Sequence, residues 1–276
     1  MSLVVEQTNV GFRWLTCGRR LFFRNPALLG GMGAIAALSI TLLSLLPMIG
    51  GMLIAFLAPA LLASTYLTLD RVSKEKRPVV LHGKALKLAP REVFGVFRDE
   101  KRIIPIIVAC LFSMVVALVA RILIQIVAGS TWNKEWTNLG LAASFELVGA
   151  LLIASTIYFV VAWTLVYALP LAFLQRRPLF PAMRRSFKAS WRLAFGLLVI
   201  LGFVLLPLVG AALVSLYSTP LAYAAAFLIG ALVLPLAAAS LYCSYRTVFP
   251  EPDAAPRRTG SAPPSLRPGI ATPSRS

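Results

Sequence analysis

The sequence has few charged residues, fewer acidic ones and almost no histidine. Only 13% of its 276 residues are charged, ten are acidic, and His82 is the one histidine. Enzymatic catalysis and metal binding need a nucleophile with a base, paired carboxylates or several convergent metal ligands. No such set can be assembled here, and no GxSxG, HExxH, Walker A or GxGxxG motif occurs. We therefore expect no catalytic, cofactor-binding or metal-binding residue and no enzymatic activity.

Cysteine is equally scarce. Cys17, Cys110 and Cys243 are odd in number, far apart along the chain and without CxxC or zinc-ligand spacing. This pattern predicts neither a disulfide framework nor a zinc site. His82 lies in a basic segment with no cysteine or second histidine nearby, so we expect it to be a solvated loop residue.

Apolar residues, in contrast, are abundant. They make up 59% of the chain and give a mean hydropathy of +0.82. The long apolar runs cover residues 27–46, 49–69, 103–128, 141–174, 193–216 and 221–243. A run of about 20 residues can cross a bilayer, and it must be helical because lipid offers the backbone no hydrogen-bond partners. The sequence predicts an all-α polytopic membrane protein with six transmembrane helices.

The positive charge is concentrated in alternate connections between these runs. Four Lys or Arg residues precede the first run, ten lie between the second and third, six between the fourth and fifth, and five follow the last, whereas the other connections hold only Lys134. Basic connections mark the cytoplasmic side of a membrane. We therefore expect a multi-pass inner-membrane protein with both termini in the cytoplasm. The net charge of +17 then indicates contact with anionic lipid headgroups and not with nucleic acid.

The chain divides into an integral membrane domain, residues 1–249, and a tail, residues 250–276. The tail is rich in Pro, Ser and Arg, which predicts a disordered cytoplasmic segment. The first apolar run is as long as a full span and lacks a cleavage pattern, so we expect it to be retained as a helix. Within the membrane domain, three units cover approximately residues 10–71, 91–177 and 180–248. Each consists of a basic lead-in followed by two apolar runs, which predicts a triple helix-pair repeat.

Two of these units also share short sequence features. The heptapeptide LLPMIGG at residues 45–51 recurs as LLPLVGA at residues 205–211. The first copy follows a complete span and predicts a tight turn. The second comes soon after Arg192, so Pro207 is expected to lie inside a continuing helix. The ends of the two units align over 58–72 and 234–248, where Pro59, Ser64, Tyr66 and Val72 match Pro235, Ser240, Tyr242 and Val248.

Each lead-in has an apolar arc beside a basic one when placed on a helix. In the first lead-in, Trp14, Leu15, Leu21 and Phe22 are set against Arg13, Arg20 and Arg24. In the second, Val93, Phe94 and Phe97 oppose Arg91, Arg98 and Asp99. In the third, Phe180, Met183, Phe187, Trp191 and Ala194 share a face flanked by Arg185, Lys188 and Arg192.

Two interpretations of the lead-ins remain open. They are interfacial helices whose rings enter the headgroup boundary while their cations meet phosphate, or they are amphipathic because they pack on the bundle. On the first interpretation, the candidate lipid-contacting residues are Arg13, Arg20, Arg24, Arg184, Arg185, Lys188 and Arg192. The lead-ins could instead contact a cytoplasmic protein partner, and a homo-oligomer is also left open.

Three polar residues within the third and fourth apolar runs are candidate intramembrane sites: Arg121, Gln125 and Glu146. Arg121 lies about 27 Å along its helix from Ile103, near the far boundary of the core, where it could snorkel to water. Glu146 lies about 43 Å from Gln175, beyond the core on the same side. These residues either have a structural role, with side chains that reach water, or belong to an ion or proton path. The alternative function for the whole protein is transport of a small or amphiphilic solute.

A family resemblance adds to this reading. The spaced residues Trp14, Gly18, Leu21-Phe22, Asn25-Pro26, Pro47, Ile49-Gly50 and Pro59, with PLFPAMRRSFKASW and SYRTVF later, resemble a family of uncharacterised polytopic inner-membrane proteins of Gram-negative bacteria. That resemblance implies a six-helix inner-membrane protein and brings no activity. The basic lead-ins are also similar, more weakly, to those of the membrane domain of some glycerophosphodiester phosphodiesterases, but this chain has no room for their catalytic domain.

Overall fold

The computed structural model describes the backbone of residues 2–46, 49–74, 89–90, 92–93, 100–128, 141–175, 178–215 and 219–250. These parts of the chain contain eight helices and no strand, which confirms the predicted all-α fold. The helices are α1 (Ser2–Phe22), α2 (Pro26–Ser44), α3 (Gly50–Lys74), α4 (Glu100–Ala128), α5 (Leu141–Leu174), α6 (Leu179–Arg192), α7 (Ala194–Ser215) and α8 (Thr219–Val248).

Six of these helices, α2, α3, α4, α5, α7 and α8, are long and apolar enough to cross a membrane. They coincide with the six apolar runs of the sequence, so the prediction of a multi-pass membrane protein is confirmed. α3 and α8 continue past their apolar runs to Lys74 and Val248, which brings basic residues into their last turns. Pro207 lies inside α7, which continues to Ser215 as the second heptapeptide predicts.

The spanning helices are arranged as an open ring. In order, α7 packs on α8, α8 on α2, α2 on α3, α3 on α4 and α4 on α5. α3 also contacts both α5 and α8, so these three helices line the centre. Within the described residues, α5 and α7 make at most marginal contact with each other. The ring is therefore open between α5 and α7, where α6 connects the two helices in the chain.

Small residues set the closest contacts between helices. Gly33 of α2 lies against the carbonyl oxygen of Ala231, and a Cβ atom placed on it would be 2.7 Å from Cγ of Pro235. Gly230 of α8 faces Ala37 of α2 in the same seam. Apolar helices gain little from leaving lipid for one another, so close backbone approach through small residues is a main source of association. The α2–α8 contact depends on this approach.

The structure places the first and third lead-ins on helices and describes the second only in part. The first lies within α1, which begins well before Phe12, at Ser2. The third coincides with α6. Most of the second lies outside the described residues, although Ala89 and Val93 are buried in the core and Arg71 of α3 bonds Glu92 at 2.6 Å. The tail from residue 251 is also outside the described part of the chain, and the repeat boundaries stay a prediction.

Replacing Gly33 by alanine should separate α2 from α8, because the added Cβ would meet backbone and the ring of Pro235. We expect Gly33→Ala to lower the free energy of unfolding by about 1–3 kcal/mol, the usual cost of overpacking. Thermal unfolding in mild detergent, followed by circular dichroism, measures the change.

Gly202→Ala is the matched control, because a Cβ there meets nothing within 4 Å. Alanine is the better helix former, so the control should unfold at the same temperature or higher. Equal destabilisation by the two variants would contradict the proposed close contact.

Candidate functional site at the basic end of the bundle

One end of the bundle collects most of the described basic side chains, and we call it the basic end. The last turns of α3 and α8 lie there together with α1 and α6. Several bonds between separate elements join them: Nε2 of Gln7 in α1 donates to the carbonyl oxygen of Arg192 at 3.0 Å, and a disulfide links α1 to α8. Because the spanning helices run in antiparallel pairs, their basic connections meet at this one end.

α6 packs on α5 through small residues and turns its aromatic residues outward. Leu179, Ala182, Ser186 and Ser190 are buried, whereas Phe180 and Trp191 are 71% and 69% exposed. The rings of Phe187 and Trp191 stack on the outside, with centroids 6.1 Å apart. Phe180, Phe187 and Trp191 of the predicted face are therefore exposed, whereas Met183 and Ala194 of that face pack against the core.

A side-chain hydrogen bond fixes α6 on α5. The backbone N–H of Tyr167 donates to Oγ of Ser186 at 3.0 Å, and both residues are buried. This bond joins the backbone of α5 to a side chain of α6 and holds α6 at a fixed rotation.

The cations of α6 lie beside its aromatic face. Arg184, Arg185, Lys188 and Arg192 are all exposed, and Phe180, Phe187 and Trp191 are exposed with them. Aromatic rings at this level suit the boundary between headgroups and acyl chains, while long basic side chains suit the phosphates above it. α6 thus has the composition and exposure of a membrane-surface helix, and it is anchored to the bundle by its opposite face.

α1 has an apolar arc and a basic arc like those of α6, but the two helices orient their aromatic residues differently. Its apolar arc is turned inward: Trp14 is only 4% exposed and lies over Gly196 of α7, and Leu21 and Phe22 are buried. Arg13 and Arg20 of α1, and Arg24 just after it, are exposed. α1 contacts α8 and α7 along most of its length. For this lead-in, packing on the bundle accounts for the apolar arc.

The expectation that the cysteines form no disulfide is wrong. Cys17 of α1 and Cys243 of α8 are joined across a separation of 226 residues, and Cys110 is free and buried. Nothing in the spacing could reveal this pair, because only the docking of α1 on α8 brings the two residues together.

Two of the three intramembrane polar candidates have side chains that the structure describes. Arg121 is half-buried in α4 and Gln125 is exposed on the same helix. Glu146 lies on α5 before the apolar span Leu152–Leu174, and its side chain is outside the described part. Among the described residues, no group of three His, Cys, Asp or Glu side chains could hold a metal ion.

A cleft that the sequence did not reveal fills the opening between α5 and α7. Its volume is about 340 Å³, and its walls are almost wholly apolar. Trp163 and Leu169 of α5 line one wall, Leu197 and Val204 of α7 line the other, and Tyr66 of α3 lies at its base. Along α7 it extends about 10 Å inward from Leu197, which is close to the basic end.

Comparison with protein families, with curated proteins and with solved structures finds no match for this chain in any of the three.

Loss of the disulfide should change the shape of the denatured chain, because the bond closes a loop that covers most of the sequence. We expect the oxidised protein to migrate faster in denaturing gel electrophoresis without reductant than with it, and Cys17→Ser to abolish the difference. Cys110→Ser is the matched control and should keep the difference. A mobility that does not respond to reductant would contradict the Cys17–Cys243 bond.

Proposed function

We propose that this chain is a non-enzymatic multi-pass protein of a bacterial inner membrane, with both termini in the cytoplasm, whose basic end binds anionic phospholipid headgroups. The observation that carries the proposal is the outward aromatic face of α6, with Phe180 and Trp191 exposed beside four exposed cations. A helix that was amphipathic only to pack on the bundle would bury those rings. α6 buries its small residues instead.

The energies of such a surface are favourable. Each Lys or Arg near an anionic leaflet contributes about 1 kcal/mol, less at higher ionic strength. The exposed rings add apolar area that is removed from water at the headgroup boundary. Four cations on one rigid helix therefore favour anionic over zwitterionic lipid, and the bond from Tyr167 to Ser186 keeps them facing the membrane surface.

Neutralising the α6 cations should reduce the enrichment of anionic lipid around the protein. We expect the variant with Arg184, Arg185, Lys188 and Arg192 changed to Gln to co-purify with at least about threefold less phosphatidylglycerol relative to phosphatidylethanolamine, since four favourable contacts are lost. Mass spectrometry of lipids that remain after purification in mild detergent gives the ratio.

The matched control removes the same charge from the tail by changing Arg257, Arg258, Arg267 and Arg275 to Gln. That variant should keep the wild-type lipid ratio. An unchanged ratio in the α6 variant, or an equal fall in both variants, would exclude α6 as a headgroup-binding surface and leave a protein partner as the remaining use of this face.

The cleft between α5 and α7 favours a second candidate function, transport of an amphiphilic solute. It lies between two helices that are long and apolar enough to span a membrane, and its end at Leu197 lies within about two turns of Arg192. An amphiphile could place an anionic group at α6 and an acyl chain in the cleft. Proline within both flanking helices, at Pro170 and Pro207, is common in helices that line solute paths.

A lipid-scrambling assay tests this second candidate. Proteoliposomes containing the protein should expose fluorescent phosphatidylglycerol to dithionite faster than empty liposomes, and Leu201→Trp should slow the exposure by filling the cleft. Leu228→Trp on the exposed surface of α8 is the control and should leave the rate unchanged. A wild-type rate equal to that of empty liposomes would exclude phosphatidylglycerol transport.

A further inference from the structure

A second feature of the basic end is a pocket where α1, α3 and α8 meet. Its volume is about 500 Å³. Four cationic side chains contribute to its walls: Arg20, Arg24, Lys74 and Arg246. Among the described residues that line it, none is acidic. This concentration of one sign of charge is distinct from the α6 surface and involves none of its residues.

The fold brings these four residues together from three helices and the turn that follows α1. Arg20 lies in the last turn of α1, and Arg24 follows in the turn between α1 and α2. Lys74 is the last residue of α3, and Arg246 lies in the last turn of α8. The Cys17–Cys243 disulfide joins the two walls one turn away from Arg20 and from Arg246. The cations are thus held around a common space.

One carboxylate near the pocket is already engaged. Oδ2 of Asp70 accepts from Nζ of Lys74 at 2.8 Å, and its Oδ1 accepts from the hydroxyl of Tyr242, also at 2.8 Å. That hydroxyl lies 3.1 Å from Oγ of Ser73. Asp70 therefore fixes the positions of Lys74 and Tyr242 and offsets a single charge. Three arginines, Arg20, Arg24 and Arg246, line the pocket beside Lys74.

A phosphate group is the ligand that best fits this arrangement. Like charges that converge on one space repel each other, and an anion that binds among them relieves the repulsion. Guanidinium groups form paired hydrogen bonds with phosphate oxygens, and three arginines, Arg20, Arg24 and Arg246, line this pocket. A phosphate offers several acceptor oxygens and up to two negative charges, whereas a carboxylate offers fewer of both.

We propose that the pocket between α1, α3 and α8 binds the phosphate group of a phosphate ester or of free phosphate. Because Lys74 and Arg246 lie past the apolar runs 49–69 and 221–243, both a lipid headgroup and a soluble phosphate can reach the pocket. The proposal does not depend on lipid binding by α6, because the two surfaces share no residue.

Titration calorimetry of the full chain in neutral detergent at low salt tests the site with two probes, inorganic phosphate and dioctanoyl phosphatidic acid. We expect saturable binding of at least one probe. Arg20→Gln should raise its Kd at least about tenfold, the effect of losing a charge-assisted hydrogen bond. Arg19→Gln is the matched control, since Arg19 is exposed on the same helix and does not line the pocket, and its Kd should stay within about twofold.

The two probes separate the two sources of phosphate. Binding of phosphatidic acid alone assigns the pocket to a lipid headgroup, and binding of inorganic phosphate as well assigns it to a soluble phosphate. If the melting curve of Arg20→Gln shows that this variant does not fold, the Kd of Arg24→Gln is compared with that of Arg19→Gln instead. The variant with Arg184, Arg185, Lys188 and Arg192 changed to Gln should bind the phosphate probe with the wild-type Kd. A failure of lipid binding by α6 would therefore leave phosphate binding in this pocket unchanged. Absence of saturable binding, or equal Kd values for Arg20→Gln and Arg19→Gln, would overturn the proposal.

Discussion

Close approach of helix backbones at small side chains is the contact on which this structure depends. Within lipid, apolar side chains gain nothing by leaving one apolar surroundings for another, so the hydrophobic effect does not choose partners among spanning helices. The closeness of packing between two helices decides which of them associate. Where Gly33 and Gly230 allow α2 to approach α8, the helices join. Where Trp163 and other large side chains face Leu197 and Ile200 across α5 and α7, they stay apart and a cleft remains.

The same contact explains why two lead-ins with similar sequences act differently. α1 meets α7 at Gly11 and Gly196, which lets the helices come close enough for Trp14 to cover the seam. α6 is bonded to α5 at Ser186, beside the buried Ala182 and Ser190, and its rings lie on other faces of the helix. The rings of α6 therefore face outward. Anchoring by small residues turns an ordinary amphipathic helix into an exposed aromatic and basic surface.

This packing of helices also brings together, at the basic end, cationic residues that are far apart in the sequence. Arg20 and Arg246 are separated by most of the sequence, and only the docking of α1 on α8 places them around one pocket. The α6 surface and this pocket are both rich in cations, yet they differ in shape. α6 offers a flat exposed face suited to a bilayer surface, while the pocket is concave and suited to a single group.

Much of the fold could be predicted because it rests on local properties. Apolar length located all six spans, and the proline at 207 was correctly assigned to a continuing helix. Three features could not be predicted: the Cys17–Cys243 bond, the cleft, and the face that each lead-in buries. Each of these features depends on which helices touch. A spanning helix that is apolar on all sides does not reveal which of its faces contacts a neighbouring helix. Helical periodicity identified the aromatic face of α6 without indicating that it points outward.

The central claim, that small residues decide which spanning helices touch, can be tested by cysteine cross-linking in a chain without its three native cysteines. A Cβ on Gly230 would lie 3.2 Å from that of Ala37, close to the ~3.8 Å typical of disulfides. We predict that Ala37→Cys with Gly230→Cys forms a disulfide on mild oxidation in membranes. Ala162→Cys with Leu201→Cys, across the cleft, should remain reduced. Equal yields for the two pairs, measured by peptide mass spectrometry, would contradict the account.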